Sequence, residues 1–282
     1  MEKWKEKKAV RFALLFWRKI KYDRVDVYTA QASFYIIMSI APIVMLLFTV
    51  LKFTPLTQQM IMDTLGTFLN QNIMDTVQGM VASIYNGTSV TLISFATLSL
   101  LWVAGKGIMG MMNGLNNIHG LWENRNYLRR RLTASFYTVL MVIALILAVA
   151  ILMFGFKFQG YLCELFPMLL EHQKELIYFQ TLVALCLLVL IFDALYVFLP
   201  NRRKRFLTQL PGAVFTTLSW CAFSYFFTAY LGMAKNMSVI YGGLVTLVVS
   251  LLWLYSCMYL WFIGAELNAY LENKESFSNE RT

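Results

Sequence analysis

Six long apolar runs, separated by hydrophilic connections whose arginines and lysines fall on alternate connections, constrain this chain more than any other feature. They cover roughly Ala30 to Leu51, Val90 to Met112, Ala134 to Phe156, Ile177 to Leu199, Leu210 to Leu231 and Val239 to Ala265. Each approaches the ~20 residues that carry a helix across a hydrocarbon core ~30 Å thick. Hydrophobicity in these runs is continuous, not alternating as in barrel strands, and backbone left unpaired in lipid costs several kcal/mol per group. The expected fold is therefore an all-α membrane protein of six transmembrane helices. Composition agrees: 59% of residues are hydrophobic and 14% charged, with a mean hydropathy of +0.60, whereas soluble domains carry about 25% charged residues.

Orientation follows from the cations, which concentrate on the cytoplasmic side of a membrane. Lys3, Lys5, Lys7, Lys8, Arg11, Arg18, Lys19, Lys21 and Arg24 precede the first run; Arg125 and Arg129 to Arg131 fill the second connection; Arg202 to Arg205 fill the fourth. The first, third and fifth connections offer only Lys52, Lys157, Lys174 and Lys235. Both termini are thus expected in the cytoplasm, and the chain divides into a basic amphipathic segment at 1–29, an integral domain at 30–271 and a cytoplasmic tail at 272–282. The formal charge of +9 concentrates on one membrane face, where anionic lipid headgroups are the first partners expected. Without aromatic residues interleaved on a stacking platform, the basic connections do not point to nucleic acid.

Two amphipathic surface segments are expected, both helical. One precedes the first span, with Trp4, Ala13, Phe16, Trp17 and Ile20 sharing an apolar face. The other lies in the first external connection, where Ile61, Leu65, Phe68, Ile73, Val77, Met80 and Ile84 form a stripe, expected as two helices broken near Asn70 to Asn72. The cysteines, Cys163, Cys186, Cys221 and Cys257, have no C-x-x-C spacing and read as small apolar residues.

Charges inside spans are costly and face a cavity, a partner or a pathway. Three need placing: Lys106, Asp193 and Glu266. Lys106 and Asp193 each lie about seven residues from a basic connection, so at 1.5 Å per residue both sit ~10 Å inside the boundary, with opposite sign. They are expected to pair or share a hydrated pocket. The alternative has Lys106 reaching back to the headgroups and Asp193 held by backbone or tyrosine hydroxyls. Glu266, at the end of the last run, is expected in a salt bridge with the arginines of the fourth connection. Gly110 and Gly114 have the spacing that lets helices approach closely, though glycines around Lys106 also suit an unwound helix. Pro42 removes one backbone donor within the first span and is expected to kink it.

Several fragments, in order along nearly the whole chain, carry a resemblance. They are Gly114-Leu115-Asn116-Asn117-Ile118-His119-Gly120, Phe198-Leu199-Pro200-Asn201-Arg202-Arg203, Pro211-Gly212-Ala213, Tyr241-Gly242-Gly243 and Gly264-Ala265-Glu266-Leu267-Asn268-Ala269. Together they resemble the YihY/BrkB family. That resemblance implies a bacterial cytoplasmic-membrane protein of six helices, in a family linked to virulence, serum resistance and envelope lipid handling. It singles out Asn116, Gly120, Pro200, Arg202, Pro211, Gly212, Tyr241, Gly242 and Asn268 as motif residues. The family once carried a ribonuclease label, and the residues allow a separate test of it.

RNA hydrolysis needs an acid and a base within reach of one another, or a metal held by clustered ligands. The two histidines, His119 and His172, fall on opposite sides of the expected topology, and neither has a metal-ligand neighbour at helical spacing. No Walker loop, G-x-S-x-G or H-E-x-x-H occurs. Neither enzymatic activity, a metal nor a cofactor is expected. Two function classes remain: a transporter or flippase-like protein for a lipid or other amphiphile, and a noncatalytic membrane scaffold. Self-association and other membrane-protein partners stay open.

Overall fold

The computed structural model describes residues 14–52, 90–144, 173–233 and 237–272, with a few isolated positions besides. Among them every regular element is a helix: α1 at 14–22, α2 at Val25–Lys52, α3 at Val90–Ile118, α4 at 127–144, α5 at Gln173–Phe198, α6 at Phe206–Met233 and α7 at Met237–Glu272. Among the described residues three segments are long and apolar enough to cross a membrane: Thr181–Phe198, Phe206–Leu231 and Val248–Glu272. The expected helices within 61–84, the later part of the third apolar run, His172, Trp4 and Ala13 lie outside the described residues.

Helix ends differ from the apolar runs on the basic side of the chain. α2 starts at Val25 instead of Ala30, α3 runs to Ile118 instead of Met112, and α7 runs to Glu272 instead of Ala265. Hydropathy reports where lipid would be, whereas a helix persists for as long as its backbone bonds and its polar side chains find partners. α3 is continuous through Gly105-Lys106-Gly107, so these glycines do not unwind it. α2 likewise continues through Pro42.

The described residues form two compact units. The first takes 14–34 and 107–127 together with α5, α6 and α7; the second takes 35–52, 90–106 and 128–144. In the first unit α5 packs on α6 and α6 on α7. Aromatic rings fill these seams: Phe192 stacks on Trp220 and Tyr196 on Trp261, both with ring centroids 5.0 Å apart. Glycines set the closest approaches. A Cβ on Gly212 would overlap the Gly264 carbonyl oxygen, and one on Gly114 would overlap the Phe262 ring and stand 3.1 Å from Tyr28 Cβ. Gly110 and Gly114 thus serve helix packing, against α2 and α7.

The outward faces are oily. Leu190 on α5 is 57% exposed and Phe226 on α6 is 70% exposed, in company with Leu182, Leu187, Leu218 and Tyr225. So much contiguous apolar surface is a liability in water and is the ordinary exterior of a helix in lipid.

α1 departs from expectation in its rotation. Ile20 is buried and Phe16 half-buried, but Trp17 is exposed, along with Leu14 and Leu15. Trp17 therefore does not share the face of Ile20. The reason is polar: Lys19 reaches inward to partners on α3 and α7, which turns Trp17 outward.

Candidate functional site

The C-terminal end of α3 anchors a part-buried polar network within the first unit. Gly120 has φ +61°, a conformation glycine adopts without cost. Its N–H donates to the Asn117 carbonyl at 3.0 Å, and the Leu121 N–H to the Asn116 carbonyl at 2.7 Å, the paired bonds of a Schellman ending. This turn aims both asparagines sideways. Asn116 accepts from the Asn201 N–H at 2.7 Å and donates to Glu123 at 2.9 Å, while Asn117 donates to the Asp23 carbonyl at 2.7 Å. Pro200, buried two residues past the end of α5, cannot extend that helix and leaves the Asn201 N–H free to be captured. Asn201 also donates its amide to the Trp122 carbonyl at 2.9 Å.

Lys19 uses all three ammonium protons. It donates to Asp23, to Glu266 Oε2 at 2.8 Å and to the Ile118 carbonyl at 3.2 Å, joining α1, α3 and α7. Glu266 has no exposed surface, and its Oε1 has no hydrogen-bond partner among the described residues. The expected salt bridge of Glu266 is present, but with Lys19 in place of the arginines of the fourth connection. Arg202, Arg203 and Arg205 are exposed, and Lys204 pairs with Glu272 at 2.7 Å. An ammonium counted in the sequence as a topology signal is thus a half-buried structural charge.

Pro211 lies inside α6 and cannot donate to the preceding turn. Asn268 from α7 bridges this step: its Oδ1 accepts from the Gly212 N–H at 2.7 Å and its amide donates to the Gln209 carbonyl at 2.9 Å. Gly212 is needed because any Cβ would strike Gly264 and Asn268 itself. Two motifs more than fifty residues apart are therefore one hydrogen-bonded joint. Tyr241 and Gly242 lie near the start of α7.

His119 has a fully buried side chain 3.6 Å from Glu272. Glu272 is already engaged by Lys204 and by the Gln209 amide at 2.7 Å. Burial first, then the charges of Lys204 and Lys19, push the His119 pKa down to about 3. The imidazole is therefore neutral at physiological pH, and the contact with Glu272 is not an ion pair. Both ring nitrogens lack a hydrogen-bond partner among the described residues.

Asp193 belongs to the first unit and Lys106 to the second. Asp193 is 2% exposed, and its Oδ1 has no hydrogen-bond partner among the described residues. One turn on, Tyr196 donates to the Trp261 carbonyl at 2.5 Å and accepts from Thr216 at 2.8 Å, so its hydroxyl proton is committed elsewhere. The Lys106 ammonium lies over the rings of Tyr35, at 5.3 Å, and Trp102, at 5.8 Å. Arg131, grouped with the basic loop in the sequence, is only 8% exposed and donates to the Leu101 and Trp102 carbonyls at 3.2 and 2.6 Å.

Sequence reasoning missed Lys19, Asp23, Gln209 and Glu272. The signal available was the i,i+4 pairing of Lys19 with Asp23. No signal in the sequence joins Asn268 to Gly212. Among the described residues, no group of three or more His, Cys, Asp or Glu side chains is placed to hold a metal ion.

Comparison with known proteins agrees with this picture. Over residues 16–282 the chain matches the family described as Virulence factor BrkB. It is 25% identical to the ribonuclease-like protein YfkH of Bacillus subtilis (strain 168), over 89% of this chain and 92% of that protein. A UPF0761 membrane protein of Chlorobium luteolum is 27% identical over 91% of this chain and 59% of its own length. One from Tolumonas auensis is 24% identical over 93% of this chain and 85% of its length. No solved structure matches. The apolar helices and these relatives agree on a membrane protein. Matched over nearly its whole length, the chain belongs to the BrkB family.

Proposed function

We propose that this protein passes the bacterial cytoplasmic membrane six times, with both termini inside, and moves a lipid or another amphiphile across it without being an enzyme. Asp193 carries the reading. A buried carboxylate inside the apolar stretch Thr181–Phe198, with one oxygen lacking a partner among the described residues, is expensive to keep. Such an oxygen is suited to take a proton or a donor group from a passing substrate. The ribonuclease-like name of one relative finds little support in these residues. His119 is buried and neutral, which leaves it poorly suited to acid–base work on a polymer.

A scaffold is the second reading, favoured by the interlocked backbone at Gly212 and Gly264, which suits a static bundle. The test is reconstitution of the purified protein in vesicles and measurement of transbilayer movement of labelled lipids. Wild type should exceed empty vesicles, and Asp193→Asn should slow movement at least tenfold with melting temperature unchanged. If the folded protein moves no amphiphile, the transport reading fails and the scaffold replaces it.

A further inference from the structure

We propose that a proton gradient drives the movement, and that Asp193 is the group that binds the driving proton and releases it. The proposal rests on the transport reading above and supplies its energy source. Asp193 lies within Thr181–Phe198, is 2% exposed, and has no hydrogen-bond partner for Oδ1 among the described residues. The described helices packed with α5 supply no cation to neutralise it. α6 and α7 contain no Lys, Arg or His at all, and the single one in α5, Lys174, stands in its first turn, about 28 Å away along the axis at 1.5 Å per residue. Nearby donors do not serve it either. Tyr196 gives its hydroxyl proton to the Trp261 carbonyl at 2.5 Å, and the buried Trp261 indole N–H bonds to no described residue.

The other titratable groups of these helices are differently placed. Cys186 on α5 and Cys221, Tyr225 and Tyr230 on α6 are exposed. On α7 Cys257 is buried and Tyr255, Tyr259 and Tyr270 are half-buried, while Glu266 bonds Lys19 and Glu272 bonds Lys204. Of the described carboxyls on α5, α6 and α7, Asp193 alone has no cation bonded to it. An ionised carboxylate shut away from water with neither cation nor donor is far costlier than the neutral acid. The enclosed arrangement therefore suits protonated Asp193, and ionisation requires water to reach it. Proton release and exposure are thereby linked, as a coupling group requires. A proton also fits where a headgroup would not. One turn away the joint is tight, since a Cβ on Gly264 would overlap Thr216 Oγ1 and the Tyr196 hydroxyl. The proton comes from water on one side and leaves to water on the other, and no bond of the transported molecule changes.

The test uses the full-length protein in phosphatidylcholine vesicles carrying labelled phosphatidylglycerol, with two separate readouts. Transbilayer movement of the label is measured with and without an imposed pH gradient, and infrared difference spectra between acid and alkaline buffer report protonated carboxyls. In wild type the gradient should speed movement at least fivefold, and a protonophore should abolish the gain. Asp193→Asn, with melting temperature unchanged, should lose both the response to the gradient and one carboxyl band. Movement indifferent to the gradient, an unchanged response in Asp193→Asn, or identical carboxyl bands in the two proteins would overturn the proposal. Should Asp193→Asn fail to fold, Asp193→Glu serves in its place: it should move one carboxyl band, and unmoved bands overturn the assignment. The two readings fail separately. A protein that shows the Asp193 band yet moves no lipid under any gradient sinks the transport reading and leaves the proton site, whereas one that moves lipid regardless of the gradient sinks only the coupling.

Discussion

His119 shows how much a single residue's meaning depends on its surroundings. In the sequence it is one of two histidines and an obvious candidate for chemistry; in the fold it is a neutral side chain sealed beside Glu272, Lys204 and Lys19. A consequence for stability follows. The unfolded chain protonates this imidazole near 6.5, while the folded one resists protonation down to about 3. Between those values the unfolded state holds one more proton, so stability falls as pH falls, by about 1.4 kcal/mol per pH unit from this group. Melting curves of the detergent-solubilised protein from pH 7.5 to 4.5 should therefore be steeper for wild type than for His119→Gln. Parallel curves would refute the assignment. Gly120 and Pro200 were legible as motif residues because backbone geometry demands those residue types. Asn268 was legible only as part of a fragment, because its partners at Gly212 and Gln209 are distant in the chain.

At the scale of elements, α1 is held by charge as well as by oil. One ammonium, Lys19, faces two carboxylates, Asp23 and Glu266, so the two sides of the pair are not equivalent. Lys19→Met strands both acids in a buried place and should cost about 3–5 kcal/mol. Glu266→Gln leaves Lys19 balanced by Asp23 and should cost under about 2 kcal/mol. Thermal melting, with trypsin cleavage after Lys21 and Arg24 as the readout of α1 release, compares them. A larger loss for Glu266→Gln would show that this description of the joint is wrong. Amphipathicity of α1 was legible, but its rotation was not. Phe16, Trp17 and Ile20 are equally apolar in the sequence, and only the reach of Lys19 to Glu266 decides which of them turns outward.

For the whole molecule, the exposed apolar side chains of α5 and α6 agree with a membrane protein. The proposed orientation makes a labelling prediction. In a variant with each cysteine replaced by serine, Arg203→Cys should react with a membrane-impermeant maleimide only after the cells are permeabilised, and Lys174→Cys should react in intact cells. Reaction of residue 203 from outside would overturn the orientation and the lipid-face assignment with it.

The sequence by itself determined the helical class, the approximate apolar stretches and the family, because lipid imposes length and hydropathy on each segment independently of its neighbours. Tertiary structure alone decided which charges are structural. Lys19 and Arg131 look like two more members of basic runs, and become bridges only because α3 and α7 bring carbonyls and a carboxylate to them. Partnership across a bundle depends on rotation and close approach, set by glycines such as Gly212 and Gly105, and neither quantity is written in the order of residues along one helix.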